Sequence, residues 1–171
     1  MKKGYVQVYT GNGKGKTTAA LGLSVRAACS GLNVYIGQFI KGMEYSELRI
    51  GEFFPNIKLE QYGRSCFIRR DPNEEDFEKA KDGLKKLDDA LHSGGYDVVI
   101  ADELNIAISY KLIDVEDVLD IIKRKPDNVE LIITGRYADE RLLEVADLVT
   151  EMKEVKHYYK AGVKARRGIE N

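Results

Sequence analysis

The sequence has few cysteines and no long apolar run. Its two cysteines, Cys29 and Cys66, belong to no CxxC pair or Cys/His cluster, so neither a zinc site nor a disulfide framework is expected. The longest apolar runs, such as residues 98–101, are far shorter than the roughly 18 residues that a membrane-spanning helix needs. No apolar secretory core follows Met1. We therefore expect a cytoplasmic protein that does not enter a membrane.

An excess of positive charge is also missing. The chain has 27 lysines and arginines against 28 aspartates and glutamates, a net charge of −1. This balance argues against nucleic-acid binding, which depends on phosphate neutralisation. The segment 151–171 is nevertheless basic. With 171 residues, of which 43% are hydrophobic, the chain fits a single globular domain, 1–171.

Apolar segments of the chain alternate with amphipathic segments that have the helical period. The predicted strands are 4–10, 33–39, 58–62, 97–102, 129–134 and 148–152. The predicted helices are 16–30, 44–50, 74–92, 114–124 and 139–146. This alternation predicts an α/β fold with a mostly parallel sheet and right-handed crossovers. Within the helices, Phe77, Ala80, Leu84, Leu87, Leu91 and Cys29 are expected to be buried.

The strongest motif, TGNGKGKTT at residues 10–18, lies between the first predicted strand and the first predicted helix. This is the context of a phosphate-binding loop, where glycines let backbone N–H groups converge on phosphate oxygens at a helix N-terminus. Lys16 is expected to neutralise phosphate charge, and the Thr17 hydroxyl to ligate Mg²⁺. An ordinary loop has glycine at the position of Thr10, so this loop is effectively one residue short. The candidate ligand-binding residues are Thr10, Gly11, Asn12, Gly13, Lys14, Gly15, Lys16, Thr17 and Thr18.

Polar residues follow three other predicted strands. Asp102 and Glu103 end an apolar strand at the place where phosphate-binding folds hold Mg²⁺, and either could be the ligand. Arg136 follows another buried strand and is placed to contact phosphate oxygens. Gln38 and Lys41 come at the end of the second strand and could reach the same ligand. The sequence therefore predicts a magnesium–nucleotide site beyond the carboxyl ends of the strands.

Several nucleotide-binding classes are excluded by missing motifs. The chain has no Asn-Lys-x-Asp guanine-reading motif, no His-Arg-Asp loop and no paired zinc cysteines, so we expect neither a GTPase nor a protein kinase nor a thymidine-kinase-like enzyme. Five blocks instead closely resemble the ATP:corrinoid adenosyltransferases of the cob(I)alamin / cob(I)yrinic acid a,c-diamide type. They are residues 10–20 (TGNGKGKTTAA), 38–42 (QFIKG), 102–104 (DEL), 133–136 (ITGR) and 155–169 (VKHYYKAGVKARRGI). The last block includes most of the basic segment around His157. Without the resemblance, this segment would be interpreted as a solvated tail.

The resemblance covers nearly the whole chain and implies both a fold and a reaction. The fold would be a RecA-like phosphate-loop fold, with a six-stranded, mostly parallel sheet and helices on both faces. The reaction would transfer the 5′-deoxyadenosyl group of ATP to Co(I) of a reduced corrinoid and release triphosphate. Because cobalt is the nucleophile, the protein needs no nucleophile or general base of its own.

The resemblance also implies roles for the candidate residues. The phosphate loop would hold the triphosphate, and Lys16 and Arg136 would act as catalytic residues that stabilise its charge as it leaves. Thr17 and Glu103 would hold Mg²⁺, with Asp102 as the second choice. Gln38, Lys41 and His157 would contribute to binding. Family members often carry two bulky aromatic residues against the corrin ring, just after the glycine that matches Gly63. This chain has only Phe67 there, which we take as the corrin contact.

Partners follow from the same resemblance. It implies a homodimer that receives electrons from a flavoprotein and acts in adenosylcobalamin biosynthesis or salvage. Two other functions on the same fold are an ATP-binding regulatory or assembly protein and a small-molecule phosphotransferase. Their products differ, because a phosphotransferase yields ADP, adenosyl transfer yields triphosphate, and a binding protein leaves ATP intact.

Overall fold

The computed structural model describes residues 2–64 and 72–170, so the predicted corrin contact Phe67 lies outside the described residues, as does Cys66. Within the described residues, six strands form one sheet. They are β1 (Val6–Thr10), β2 (Val34–Phe39), β3 (Ile57–Tyr62), β4 (Val98–Asp102), β5 (Glu130–Thr134) and β6 (Leu148–Glu151). Each strand starts within about two residues of its predicted start, because short apolar segments mark the strand positions well.

The sheet has the order β3-β2-β4-β5-β1-β6, and every neighbouring pair is parallel. The predicted α/β architecture is therefore confirmed. Since all strands run in one direction, all of them end at one edge, which we call the carboxyl edge; the opposite one is the amino edge. Near the carboxyl edge, Gln38 on β2 lies in register between Gln61 on β3 and Asp102 on β4.

Six α-helices connect the described strands. They are α1 (Lys16–Cys29), α2 (Ile50–Phe53), α3 (Glu74–His92), α4 (Leu104–Ser109), α5 (Val115–Arg124) and α6 (Glu140–Val145). The predicted helix 44–50 starts instead as a 3₁₀ turn, Ser46–Arg49, and continues as α2. A second 3₁₀ turn, Tyr158–Ala161, lies in the basic C-terminal segment, where no period was evident. The helix α4 was not predicted.

The helices cover both faces of the sheet. Strand residues that point to one face, such as Tyr35 and Val99, pack in a cluster with residues of α3, α4, α5 and α6. Residues that point to the other face, such as Ile36 and Ile100, pack with α1 and with Ile50 of α2. Strand β4, in the middle of the sheet, is buried along its whole length. This burial on both faces explains its continuous apolar sequence.

Two residues predicted to be buried are exposed. Phe77 is 36% exposed because it lies in the first turn of α3, and the packing of this helix against the sheet begins with Ala80. Cys29 is exposed at the last position of α1, where Ala27 and Ala28 carry the buried face. In residues 2–64 and 72–170, no helix is both long and apolar enough to cross a membrane.

Candidate active site

The phosphate loop fills the turn from β1 to α1 and lies against the end of β6. Gly13 N–H donates to the Met152 carbonyl over 2.6 Å. A Cβ atom at Gly11 or at Gly13 would lie 2.6 Å from that same oxygen, and Gly11 has a φ of +94°. Gly15 has a φ of +122° and begins α1 without a side-chain cap. The glycines are therefore required by close backbone contact and by the left-handed turn that leads into the helix.

Lys16 is buried within the phosphate loop. Its Nζ donates to the carbonyls of Gly11 over 2.8 Å and Gly13 over 2.7 Å. Burial lowers the pKa of Lys16, although the negative charge of Glu103 opposes this shift. The ammonium group is thus held at the centre of the loop by carbonyl oxygens, and an anionic ligand would be a stronger partner for it.

Asp102 is the buried centre of a polar cluster at the carboxyl edge. Its Oδ1 accepts hydrogen bonds from Thr17 over 2.8 Å and from Thr134 over 2.7 Å. Its Oδ2 accepts from Gln38 over 3.1 Å and from Lys41 over 2.8 Å. Asp102 is only 1% exposed, so four donors satisfy a carboxylate that has lost its contact with water. Its main contribution is to hold Thr17 and Lys41 in place.

Glu103 differs from Asp102 in having a carboxylate that faces an open cavity. Its backbone is left-handed, with a φ of +61°, and its N–H donates to Thr134 Oγ1 over 3.0 Å. Burial raises the pKa of Glu103, and the neighbouring charge of Asp102 raises it further. Among the described residues, no hydrogen bond or ion pair engages its carboxylate. Glu103 is therefore the acid of this pair that is available to an incoming cation.

The cavity beside Glu103 has a volume of about 780 Å³. Its walls come from the phosphate loop, the segment after β2, the start of α4, Arg136 and the C-terminal segment. The charged and polar residues among them include Lys14, Lys16, Thr17, Lys41, Glu47, Glu103, Arg136 and His157. The apolar residues include Leu21, Ile40, Met43, Ile106 and Ile169. A cavity of this size, lined by both cationic and apolar side chains, fits a nucleotide together with part of a larger ligand.

The basic C-terminal segment lies against the phosphate loop. Lys14 Nζ donates to the Ile169 carbonyl over 3.1 Å and to Glu170 over 3.2 Å. Glu170 also bonds to Tyr158. His157 Nδ1 accepts the Tyr159 N–H over 3.1 Å, which leaves Nε2 of the neutral ring as a donor. Part of this segment therefore lines the cavity, while most of its side chains are exposed to solvent.

Comparisons with known proteins identify the family of this chain. A family model described as ATP:corrinoid adenosyltransferase BtuR/CobO/CobP matches residues 2–171. The chain belongs to the ATP:corrinoid adenosyltransferase family. It is similar to a corrinoid adenosyltransferase of Pseudomonas aeruginosa, at 34% identity over 99% of this chain and 84% of that protein. It is also similar to the corrinoid adenosyltransferase CobA of Salmonella typhimurium, at 36% identity over 99% of this chain and 86% of that protein.

A solved structure of the RadB recombinase has a similar fold. It aligns with a TM-score of 0.54 over 91% of this chain and 77% of its own chain, at 13% sequence identity. At that identity the likeness concerns the fold alone. It confirms the RecA-like phosphate-loop fold for this adenosyltransferase family member.

The structure places the predicted site residues of the adenosyltransferase in three groups. Those that line the cavity are Gly13, Lys14, Gly15, Lys16, Thr17, Thr18, Lys41, Glu103, Arg136 and His157. Asp102 and Gln38 lie behind the cavity wall, and Gln38 is fully buried, bonded to Glu47, Gln61 and Asp102. Thr10, Gly11 and Asn12 shape the loop. Thr10 Oγ1 accepts the Ala138 N–H over 3.4 Å, and the Asn12 carbonyl accepts Arg136 Nη2 over 3.3 Å.

Other residues of the adenosyltransferase site were missed by sequence reasoning. Thr134 joins Glu103 to Asp102 through its hydroxyl, and Glu47 approaches Lys41 to within 3.8 Å. Asn105 donates to the Gly135 carbonyl from a fully buried position. Thr134 lies within the block 133–136, and Asn105 directly follows the block 102–104. Their place in or beside two recognised blocks is the signal that could have found them.

Proposed function

We propose that this chain transfers the 5′-deoxyadenosyl group of ATP to Co(I) of a reduced corrinoid and releases triphosphate. In this step a cobalt–carbon bond forms at the ribose C5′, the bond from C5′ to the triphosphate oxygen breaks, and that electron pair leaves with the triphosphate. Triphosphate is a highly charged leaving group, and its charge is what the protein must stabilise.

The observation that carries this proposal is the arrangement of charges around the cavity. Lys16 and Arg136 lie on the cavity wall with the phosphate loop, and they would stabilise the departing triphosphate. These cations serve the leaving group, and the nucleophile in this reaction is the cobalt that the substrate brings. The apolar part of the wall would exclude water from Co(I).

The residues at the cavity also fit a magnesium ion. Mg²⁺ prefers oxygen ligands, including carboxylates and hydroxyls. Glu103 supplies a carboxylate without a hydrogen-bond partner among the described residues, and Thr17 supplies a hydroxyl. Asp102 is a poorer direct ligand, because its two oxygens already accept four hydrogen bonds. When bound, Mg²⁺ would neutralise part of the triphosphate charge, and Asp102 would keep the Thr17 hydroxyl in place.

The setting of the reaction is part of the proposal. We take the chain as a single domain that forms a homodimer in the cytoplasm and receives electrons from a flavoprotein. The family resemblance supports the homodimer and the flavoprotein, and the flavoprotein would supply the electrons that generate Co(I) before adenosyl transfer.

The remaining predicted residues would act in substrate binding. Lys41 and His157 line the cavity and would contact the substrates, whereas the buried Gln38 would act through its hydrogen bond to Asp102. Phe67 would contact the corrin ring.

The test is an anaerobic assay with purified protein, chemically reduced cobalamin, Mg²⁺ and ATP. We expect a light-sensitive cobalt–carbon adduct in the visible spectrum and an equal amount of free triphosphate. Lys16→Ala should lose both products, whereas Lys123→Ala, at an exposed position on α5, should keep both. Production of ADP would point to a phosphotransferase and intact ATP to a binding protein. Either outcome, with a corrinoid intermediate tested as well, would contradict the proposal.

A further inference from the structure

Arg136 depends on an unusual piece of backbone for its position. The preceding residue, Gly135, has a φ of +132°, and a Cβ atom there would lie 2.9 Å from Cβ of Asn105. Glycine is therefore required where α4 packs directly on the end of β5. Glycine also gives the peptide between residues 135 and 136 more rotational freedom than any other residue would. Something else must fix the direction in which Arg136 leaves the strand.

Asn105 supplies that restraint. Its Nδ2 donates to the Gly135 carbonyl over 3.1 Å inside the protein, and the residue has no exposed surface. The Gly135 N–H is bound from the opposite side by the Tyr9 carbonyl, also over 3.1 Å. Both polar groups of Gly135 are thus held, one by a neighbouring strand and the other by a side chain.

The other end of the Asn105 amide shows that this side chain is not there for packing. In the described part of the chain, its Oδ1 is buried and has no hydrogen-bond partner. A buried polar atom without a partner is unfavourable, and an apolar residue would fill the space without that penalty. The amide is therefore best explained by its one satisfied group, the donor to Gly135.

The restrained turn leads to a guanidinium group at the phosphate loop. Arg136 Nη2 donates to the Asn12 carbonyl over 3.3 Å, and the side chain lines the cavity. Apart from this hydrogen bond, the Arg136 side chain is exposed to solvent. The backbone conformation at residues 135 and 136 therefore largely determines where the guanidinium charge lies.

We infer that Asn105 is a positioning residue, which fixes Gly135 so that Arg136 meets the triphosphate group of the nucleotide. The inference rests on the proposed function, since it assigns Arg136 to the triphosphate. Asn105 itself is fully buried and does not line the cavity. Its effect should therefore depend entirely on the presence of the Arg136 guanidinium.

The test is a double-mutant cycle on binding of inorganic tripolyphosphate with Mg²⁺, measured by calorimetry. Asn105→Ala should weaken binding about tenfold, and Arg136→Ala should weaken it at least as much. The double variant should bind no more weakly than Arg136→Ala alone. Ser109→Ala, which removes an exposed hydroxyl from the same helix, should bind like the unaltered protein.

A second variant changes the hydrogen-bonding chemistry of the side chain rather than its size. Asn105→Asp keeps the shape of the side chain but turns the donor into an acceptor, so it should weaken binding as much or more. Thermal unfolding would show that each variant is folded, as expected, since Thr134 still joins β5 to Glu103 and Asp102.

Three results would overturn the inference. They are unchanged binding in folded Asn105 variants, an equal further loss when Asn105→Ala is added to Arg136→Ala, and no tripolyphosphate binding by the unaltered protein. Because this probe needs neither corrinoid nor reductant, a failure of adenosyl transfer would be seen separately in the anaerobic assay.

Discussion

The two edges of the sheet hold their polar residues in different ways. At the carboxyl edge, Lys16, Gln38, Asp102, Asn105 and Thr134 are buried. The backbone there is also strained. Of the four described non-glycine residues with a positive φ, three follow strands at this edge, namely Ile40, Glu103 and Tyr137.

The amino edge has a plainer construction. Lys125, after α5, donates to the carbonyls of Gly4, Pro126 and Val129, over 3.3, 3.0 and 2.7 Å respectively. His92, at the end of α3, binds two carbonyls in the same manner. These side chains connect neighbouring loops through hydrogen bonds to backbone carbonyls, and both remain partly exposed to solvent.

The comparison of the two edges shows that polar side chains have two roles in this sheet, one in the candidate active site and one in holding loops together. Strained backbone and buried charge lower stability and persist where the surrounding structure enforces them, most often at functional sites. Contacts of the amino edge instead satisfy backbone carbonyls. Substitutions at the carboxyl edge should therefore change activity and stability in unrelated amounts, whereas those at the amino edge should change stability alone.

The largest expected effect is on activity at the carboxyl edge. Glu103→Gln removes the carboxylate proposed to hold Mg²⁺, and we expect kcat/KM for adenosyl transfer to fall about 100-fold. Stability should stay equal or rise, because burial and Asp102 already disfavour the charged form of Glu103. Anaerobic kinetics and urea unfolding would measure the two quantities. A parallel loss of stability and activity would show that Glu103 is structural.

The largest effect on stability is expected at Lys41, also at the carboxyl edge. Burial alone would lower the pKa of Lys41, but the charge of Asp102 and the hydrogen bond to it raise it. Lys41→Met would leave Asp102 as a buried charge without its ion-pair partner. We expect a loss of about 3 kcal/mol in the free energy of unfolding by urea.

A paired substitution tests the reason for this loss. In the double variant Lys41→Met/Asp102→Asn the unpaired charge is gone, so much of the stability should return. If the double variant is as unstable as Lys41→Met alone, packing of the lysine stem explains the loss better than charge does.

The same substitution at the amino edge gives a direct contrast. Burial lowers the pKa of Lys125, and Lys125→Met removes three hydrogen bonds to carbonyls that water can partly reach. We expect a loss of about 1 kcal/mol with unchanged kinetics of adenosyl transfer. The exposed neighbour Lys123→Met serves as the control and should change neither quantity. A change in KM or kcat for Lys125→Met would break the distinction between the edges.

Sequence reasoning found those parts of the fold that depend on local pattern. Strands and long helices followed from the spacing of apolar residues, and the phosphate loop followed from its glycines and its context. The helix α4 was not predicted because it has only six residues, four of which are buried. It therefore lacks the polar face that would show the helical period in the sequence. It also begins at the left-handed Glu103, where no ordinary helix start is seen.

The site was predictable where residues follow strands and unpredictable where they meet across the sheet. Lys41, Glu103 and Arg136 could be placed at one edge because parallel strands end together. The burial of Gln38 could not be foreseen, since it depends on β2 lying between β3 and β4 with Gln61 and Asp102 in register. The contact of Asn105 with Gly135 likewise follows from the packing of α4 on the neighbouring strand.

The smallest expected effect is a pH dependence at the amino edge, from His92. Its Nδ1 lies 2.9 Å from the Asp88 carbonyl and its Nε2 lies 3.0 Å from the Arg124 carbonyl. Carbonyls only accept, so the ring can donate to both of them only when both of its nitrogens carry a proton. The hydrogen bond to the Asp88 carbonyl and, after it, the one to the Arg124 carbonyl therefore raise the pKa of His92 above 6.5.

A raised pKa in the folded state fixes the sign of the pH effect. The contribution of His92 to stability should be complete below its ordinary pKa of about 6.5 and should disappear as the pH rises through the higher pKa of the folded protein. The ring is 36% exposed, so solvent screening limits the contribution to about 0.5 kcal/mol. Urea unfolding of the unaltered protein and His92→Gln should therefore differ at pH 5.5 and converge at alkaline pH, while Lys123→Gln shows no such trend. A difference that persists unchanged at alkaline pH would mean that the ring acts here through its shape and not its charge.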